Sequence, residues 1–177
     1  MSHRPAPKWL ELGCGLNKPE DYFGVDRANL PGVDLVHDLE CHPWPIADGC
    51  AERVGCYQTL EHIRDMVAFM ADLWRVCSAD PQAWVEITVP YHTAPTAWGD
   101  PTHVRAFTED TFRYFEPGYV ERFSDYGIAP YYFQIVEQGF RPGANLWVLL
   151  RPIKTEAQRA VHDEQAWWRG RRAAMLG

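Results

Sequence analysis

The chain has 177 residues, enough for one domain with a substantial core and short for two. Hydrophobic residues make up 46% of it, which excludes a disordered chain, and no run approaches the roughly 18 apolar residues of a membrane span. The net charge of −7 is uneven: residues 1–150 carry 11 Lys/Arg against 21 Asp/Glu, so the body repels phosphate backbones, whereas residues 151–177 carry 6 against 3.

The start, MSHRPAPKWLEL, has no apolar signal core, and the 5 cysteines (Cys14, Cys41, Cys50, Cys56, Cys77) contain no C-x-x-C pair. A reduced cytoplasmic protein without a disulfide framework is the expectation. Short apolar runs predict strands at 9–12, 22–25, 33–37, 53–58 and 83–89. Their near-continuous apolar character predicts a sheet buried on both faces. Residues 65–77 read as a helix: Met66, Phe69, Met70, Leu73, Trp74 and Cys77 share one face, with Asp65 as cap. Residues 108–115 read as a second helix capped by Thr108. Two strands, 131–137 and 145–150, flank a Gly- and Pro-containing turn and are expected to pair antiparallel. Residues 155–175 read as a terminal helix. The order gives an α/β domain around a mostly parallel sheet.

The stretch KWLELGCGLNKPEDYFGVD carries the first chemical signal. Gly13 and Gly15 follow one strand and Asp26 ends the next. Glycines there let a ligand approach the backbone, and an acid at the neighbouring strand end accepts from ribose hydroxyls. The dinucleotide fingerprint is incomplete, because a third glycine is missing and Asp26 comes too soon. A pyrophosphate would need a helix N-terminus, and the link has little room for one. A nucleoside without phosphates fits better; an unliganded turn is the competing reading.

Two further segments, HDL…WPIADGCAERV and YQTLEHI, join LELGCG and FGVD in a set that resembles the class I S-adenosylmethionine-dependent methyltransferases over roughly residues 8–90. The resemblance implies a Rossmann-like seven-stranded sheet, mostly parallel, with an antiparallel C-terminal strand pair, and S-adenosyl-L-methionine as cofactor. It places Glu11 near the methionine amino group, and Gly13, Cys14 and Gly15 along the methionyl and ribose portion. It gives Asp26, with Arg27 beside it, to the ribose, Asp38 and Leu39 to the adenine, and Gln58 and Thr59 to the methionine end. Glu61 and His62 would border the reaction space, although Leu39 as plain core and a Glu61–Arg64 ion pair are simpler readings. The family normally carries helices between its first three strands; here GLNKPEDY and RANLPG replace them. The terminal helix, with Trp167 and Trp168, or a second subunit in a homodimer, is the expected cover for that face.

Methyl transfer needs alignment and water exclusion more than acid–base groups. The stretch 89–107 leaves the fifth strand at its carboxyl end, so Tyr91, Trp98, Asp100 and Arg105 are candidate acceptor-binding residues. His92 and His103, with His62 behind them, are the candidate general bases. His92, Asp100 and His103 have no recognised metal-ligand spacing, and no metal is expected. Tyr114, Tyr119, Tyr126, Tyr131 and Tyr132 are candidates to line a pocket or simply to pack. The expected organisation is one domain over 1–154 and a helical tail over 155–177. The expected function is methylation of oxygen or nitrogen on a small molecule. A catalytically silent binding module and a nucleic-acid methyltransferase are the alternatives; the latter is disfavoured by the absence of an N-P-P-Y-type tetrad after the fourth strand.

Overall fold

The computed structural model describes residues 4–123, 125, 127 and 131–165. Strands β1 (Trp9–Leu12), β2 (Phe23–Asp26), β3 (Leu35–Val36), β4 (Arg53–Tyr57), β5 (Trp84–Pro90), β6 (Tyr132–Arg141) and β7 (Asn145–Ile153) form one sheet in the order β3-β2-β1-β4-β5-β7-β6. Neighbours from β3 through β5 are parallel, and β7 runs antiparallel between β5 and β6. The expected α/β architecture is present, with no helix in either link between the first three strands. β3 is shorter than the predicted 33–37; beside it the Asp34 N–H donates to the Gly24 carbonyl at 3.0 Å, while its carboxylate accepts from Gly24 N at 2.8 Å and Lys18 Nζ at 2.9 Å.

Helix α1 (Met66–Val76) begins where predicted, with the Asp65 carboxylate accepting from Ala68 N at 2.9 Å. Right-handed crossovers from β1 to β2 and from β4 to β5 run in opposite directions across the sheet, so they lie over opposite faces. α1 therefore covers one face, where Leu10, Leu12, Val54, Cys56, Val85 and Ile87 meet Phe69, Met70 and Leu73 in the core. The segment after β3 adds Trp44, fully buried and edge-on to Phe69 at 5.0 Å between centroids. Asp72 of α1 anchors that segment by accepting from Trp44 N at 2.9 Å and pairing with His42 Nδ1 at 2.7 Å.

The other face meets the expectation of a sheet buried on both sides only in part: consecutive residues of β1, β2 and β4 are buried, whereas the first half of β5 and most of β7 alternate buried and half-buried positions. Cross-strand registry sets Trp9, Arg53 and Trp84 in one row, and Gly24, Glu11, Gly55 and Glu86 in the next. Arg53 lies over both indoles, at 4.9 and 5.8 Å from their centroids. Glu86 accepts from Arg141 and from Trp147 Nε1. These side chains bury their stems and rings on one another, which offsets part of the exposure a helix would have prevented.

Residues 108–115 also depart from expectation. Thr108 does not cap a helix; its own N–H donates to Thr111 Oγ1, and a 3₁₀ turn (Thr111–Phe115) stops before Pro117 opens α3 (Pro117–Arg122). Proline favours a first helical turn and restricts the residue before it, so one expected helix becomes a turn and a second short helix. A further short helix, α2 (Pro95–Gly99), follows β5. The last described helix, α4 (156–165), lies at the β6 end of the sheet, where Arg159 pairs with Glu121 of α3 at 2.6 Å and Gln165 accepts from Gln134. Trp167 and Trp168, the expected cover for the helix-free face, lie outside the described residues. No described helix is long and apolar enough to cross a membrane.

Candidate functional site

β1 ends in a tight bend: the amides of Gly13 and Cys14 both donate to the carbonyl of Val25, at 2.8 and 3.1 Å. Gly13 has φ +69°, and a Cβ there would lie 2.2 Å from Thr59 Oγ1, so only glycine fits. The bend brings Gly15 N within 2.9 Å of one Asp26 carboxylate oxygen, while Ala28 N donates to the other at 2.9 Å. Each oxygen keeps a second lone pair for an outside donor.

These groups open onto a cavity of about 500 Å³, within the usual range for a small-ligand site. It lies beyond the carboxyl ends of the parallel strands, as open α/β sheets dictate. Gly13, Asp26 and Arg27 form one side, Asp38 and Leu39 the next, and Gln58, Thr59 and His62 the third. Asp38 uses one oxygen to accept from Glu40 N at 3.0 Å. Leu39 is buried in the core yet presents surface to the cavity. The Thr59 hydroxyl is spent within the fold, near the carbonyls of Leu12 and Tyr57.

Three of the cofactor candidates lie off the cavity lining: Glu11, Cys14 and Gly15. Glu11 is in the half-open face's second row, 5% exposed, with Oε2 lacking any hydrogen-bond partner among the described residues. Burial pushes its carboxyl up to about 7. Cys14 is buried, and burial, with Asp26 and Glu11 nearby, pushes its thiol up.

The far rim comes from a flap. Residues 92–106 leave and rejoin the sheet at a parallel bridge between Tyr91 and Phe107. The flap is fastened to the 3₁₀ turn Leu60–His62 after β4: Val104 N donates to the Glu61 carbonyl at 2.9 Å, and Thr102 Oγ1 meets His62 Nδ1 at 3.0 Å. Arg105 donates to the carbonyl of Arg64, and burial lowers its pKa. Asp100 shapes the flap's turn by accepting from Thr102 N and Oγ1. His103 stacks edge-on against His62 at 4.7 Å.

The remaining acceptor candidates lie elsewhere. His92 packs against Tyr91, whose hydroxyl donates to Glu109 and whose ring meets Phe140, and neither lines the cavity. Trp98 is 71% exposed on the flap. Tyr114 and Tyr119 pack on each other and on Phe123, Tyr131 packs on Trp74, and Arg159 lies over Tyr132; Tyr126 lies outside the described residues. Residues not singled out from sequence complete the lining: Glu40, Ile63, Arg64, Pro101, Thr102 and Val104. Arg64 pairs with Glu40 at 3.0 Å, so the alternative reading of Glu61 as its ion-pair partner does not hold.

No family model matches the chain, and no curated protein matches it. Solved structures do. An S-adenosylmethionine-dependent methyltransferase from Mesorhizobium loti superposes with a TM-score of 0.56 at 12% identity, covering 85% of this chain and 93% of that one. A Thermotoga maritima protein described as a SAM-dependent methyltransferase, possible histamine N-methyltransferase, gives 0.56 at 13% identity, covering 85% and 83%. The small RNA methyltransferase HEN1 gives 0.51 at 12% identity, covering 85% of this chain and 24% of that one. The chain has the class I S-adenosylmethionine-dependent methyltransferase fold.

Proposed function

We propose that the chain is an S-adenosylmethionine-dependent methyltransferase acting on a small oxygen or nitrogen acceptor. One observation carries the reading: the Asp26 carboxylate, held by Gly15 N and Ala28 N, faces a cavity shared with Gly13, Asp38 and Leu39. The donor set fits an adenosyl group. Asp26 accepts from ribose hydroxyls, Asp38 from the exocyclic amine of adenine, and Leu39 with Ile63 offers apolar walls to the ring.

When bound, S-adenosylmethionine supplies an electrophilic methyl sulfonium. The chain's own part is to orient the acceptor and exclude water. His62, at the rim, is the side chain best placed to take a proton from an acceptor; Thr102 and His103 orient it. His92 has no such access in this arrangement. The flap supplies the wall on which a small acceptor would rest. The acidic body, carrying 21 Asp/Glu against 11 Lys/Arg over residues 1–150, supports a small acceptor over a nucleic acid.

Isothermal titration with S-adenosylhomocysteine tests the reading. One site per chain is expected, and Asp26→Ala should weaken it by about 1–3 kcal/mol, the loss of charge-assisted hydrogen bonds. An unchanged dissociation constant in that variant, or no binding to the wild-type chain, rejects the site.

A further inference from the structure

The geometry points to a divalent-cation site formed by Glu61, His62 and His103 at the acceptor end of the cavity. A carboxylate oxygen of Glu61 and one ring nitrogen of each histidine all lie within 4.8 Å of one another. Donors around one tetrahedral ion at about 2.1 Å are about 3.4 Å apart, so side-chain shifts of about 1 Å would close the set.

A second, independent observation concerns Glu61 alone. Its residue is 1% exposed, and its Oε2 has no hydrogen-bond partner among the described residues. A buried carboxylate oxygen left without a partner is disfavoured, so the group either stays neutral or takes a positive partner. The guanidinium nearest in sequence does not serve, because Arg64 is turned to Glu40. Arg105 donates from Nη2 to the Arg64 carbonyl, and its buried Nε meets no hydrogen-bond partner among the described residues, Glu61 included. A cation between Glu61 and the two imidazoles supplies what the protein does not.

The surroundings follow the pattern of metal-bound histidines, whose second nitrogen is oriented by an outer partner. His62 Nδ1 meets Thr102 Oγ1 at 3.0 Å, and His103 Nδ1 faces the Ala97 carbonyl at 3.4 Å, which leaves Nε2 on each ring to offer. The Asp100 carboxylate, 3.8 Å from His103 Nε2, adds negative charge at the open side. Two imidazoles and one carboxylate favour a first-row divalent transition ion over magnesium or calcium. Three protein ligands leave positions open, and His62 lines the cavity, so an acceptor oxygen can complete the coordination. That last role rests on the methyltransferase reading; the site itself does not. With the ion in place, His62 and His103 act as ligands and not as bases.

The test is a titration of the full metal-stripped chain with Co²⁺, read by visible d–d absorption, beside a separate calorimetric titration with S-adenosylhomocysteine. One Co²⁺ per chain is expected, displaced by Zn²⁺. Glu61→Gln and His103→Asn should each weaken it at least tenfold, and Cys41→Ser, at an exposed thiol away from the cluster, should leave it unchanged. Glu61→Gln keeps the side-chain shape and removes a buried charge, so it remains an informative folded variant should His103→Asn unfold. No saturation at millimolar Co²⁺, or equal affinity in wild type and Glu61→Gln, overturns the site. S-adenosylhomocysteine binding without Co²⁺ binding overturns this inference alone. Co²⁺ binding lost in Glu61→Gln, in a chain that ignores S-adenosylhomocysteine, supports the cation site and rejects the methyltransferase reading.

Discussion

Glu11 lies between Gly24 and Gly55, in a row roofed by the Lys18 stem and the Tyr57 ring. Its carboxyl, raised by burial to about 7 from an ordinary 4.5, is easier to ionise in the unfolded chain than in the folded one. The sign follows: stability is full below about pH 4.5 and declines as pH rises through about 7, because the unfolded chain releases the proton first. The full loss is on the order of 3 kcal/mol. Denaturant unfolding from pH 4.5 to 8 should therefore show a decline that Glu11→Gln reduces; an unchanged slope in that variant would place the titration elsewhere. At this scale the bend at Gly13 and the strand-end position of Asp26 were legible in the sequence, because each is a demand few residues can meet: a positive φ against Thr59, and a carboxylate that accepts from Gly15 N; their part in holding a cofactor is the proposal. Glu11, expected near the methionine amino group, lies off the cavity lining, and a signal for its direction is present in the sequence. Leu10 and Leu12 point into the core, so strand alternation sends Glu11 to the opposite face.

The flap is the element that decides what the site can hold. It is bracketed by the Tyr91–Phe107 bridge and pinned at its far end through Val104, Thr102 and Arg105. Arg105→Leu removes the donor of a solvent-accessible bond to the Arg64 carbonyl, a change worth about 0.5–1.5 kcal/mol. Amide exchange over residues 100–105 should accelerate several-fold while β1 and β4 stay protected. Exchange that is unaltered would mean the backbone contacts alone hold the flap. Sequence placed this stretch at the site because it follows β5, but could not say which histidine would arrive. His103 is carried to His62 by a turn that Asp100 and Thr102 create, whereas His92 stays in the bridge beside Tyr91. Helix α1 was legible almost to the residue because its apolar face repeats with helical period and Asp65 caps it. The 108–115 region was not, since Pro117 redirected the chain beyond the window that suggested a helix.

At the scale of the molecule, the trimmed connections set the chain apart from the βαβ arrangement that its sheet order otherwise follows. Sequence disclosed their shortness but not what would clothe the face above them, because the Trp9–Arg53–Trp84 row exists only once three strands are in register. The domain division at residue 154 stays a proposal; within the described residues, α4 joins the body through Gln158, whose amide donates to the Ala79 carbonyl, and through Arg159. The short connections also bear on how the chain folds. Ten residues join β1 to β2 and eight join β2 to β3. Against a helical crossover of about 20 residues between strands, closing each loop is easier by about 0.6–0.8 kcal/mol in chain entropy. Parallel pairing is ordinarily slow because distant segments must first meet. Here the N-terminal strands can serve as the nucleus, so Leu10→Ala and Val25→Ala should chiefly slow refolding, and Leu150→Ala should chiefly hasten unfolding. A stopped-flow series in which Leu150 carried the larger refolding effect would locate the nucleus in the C-terminal hairpin instead.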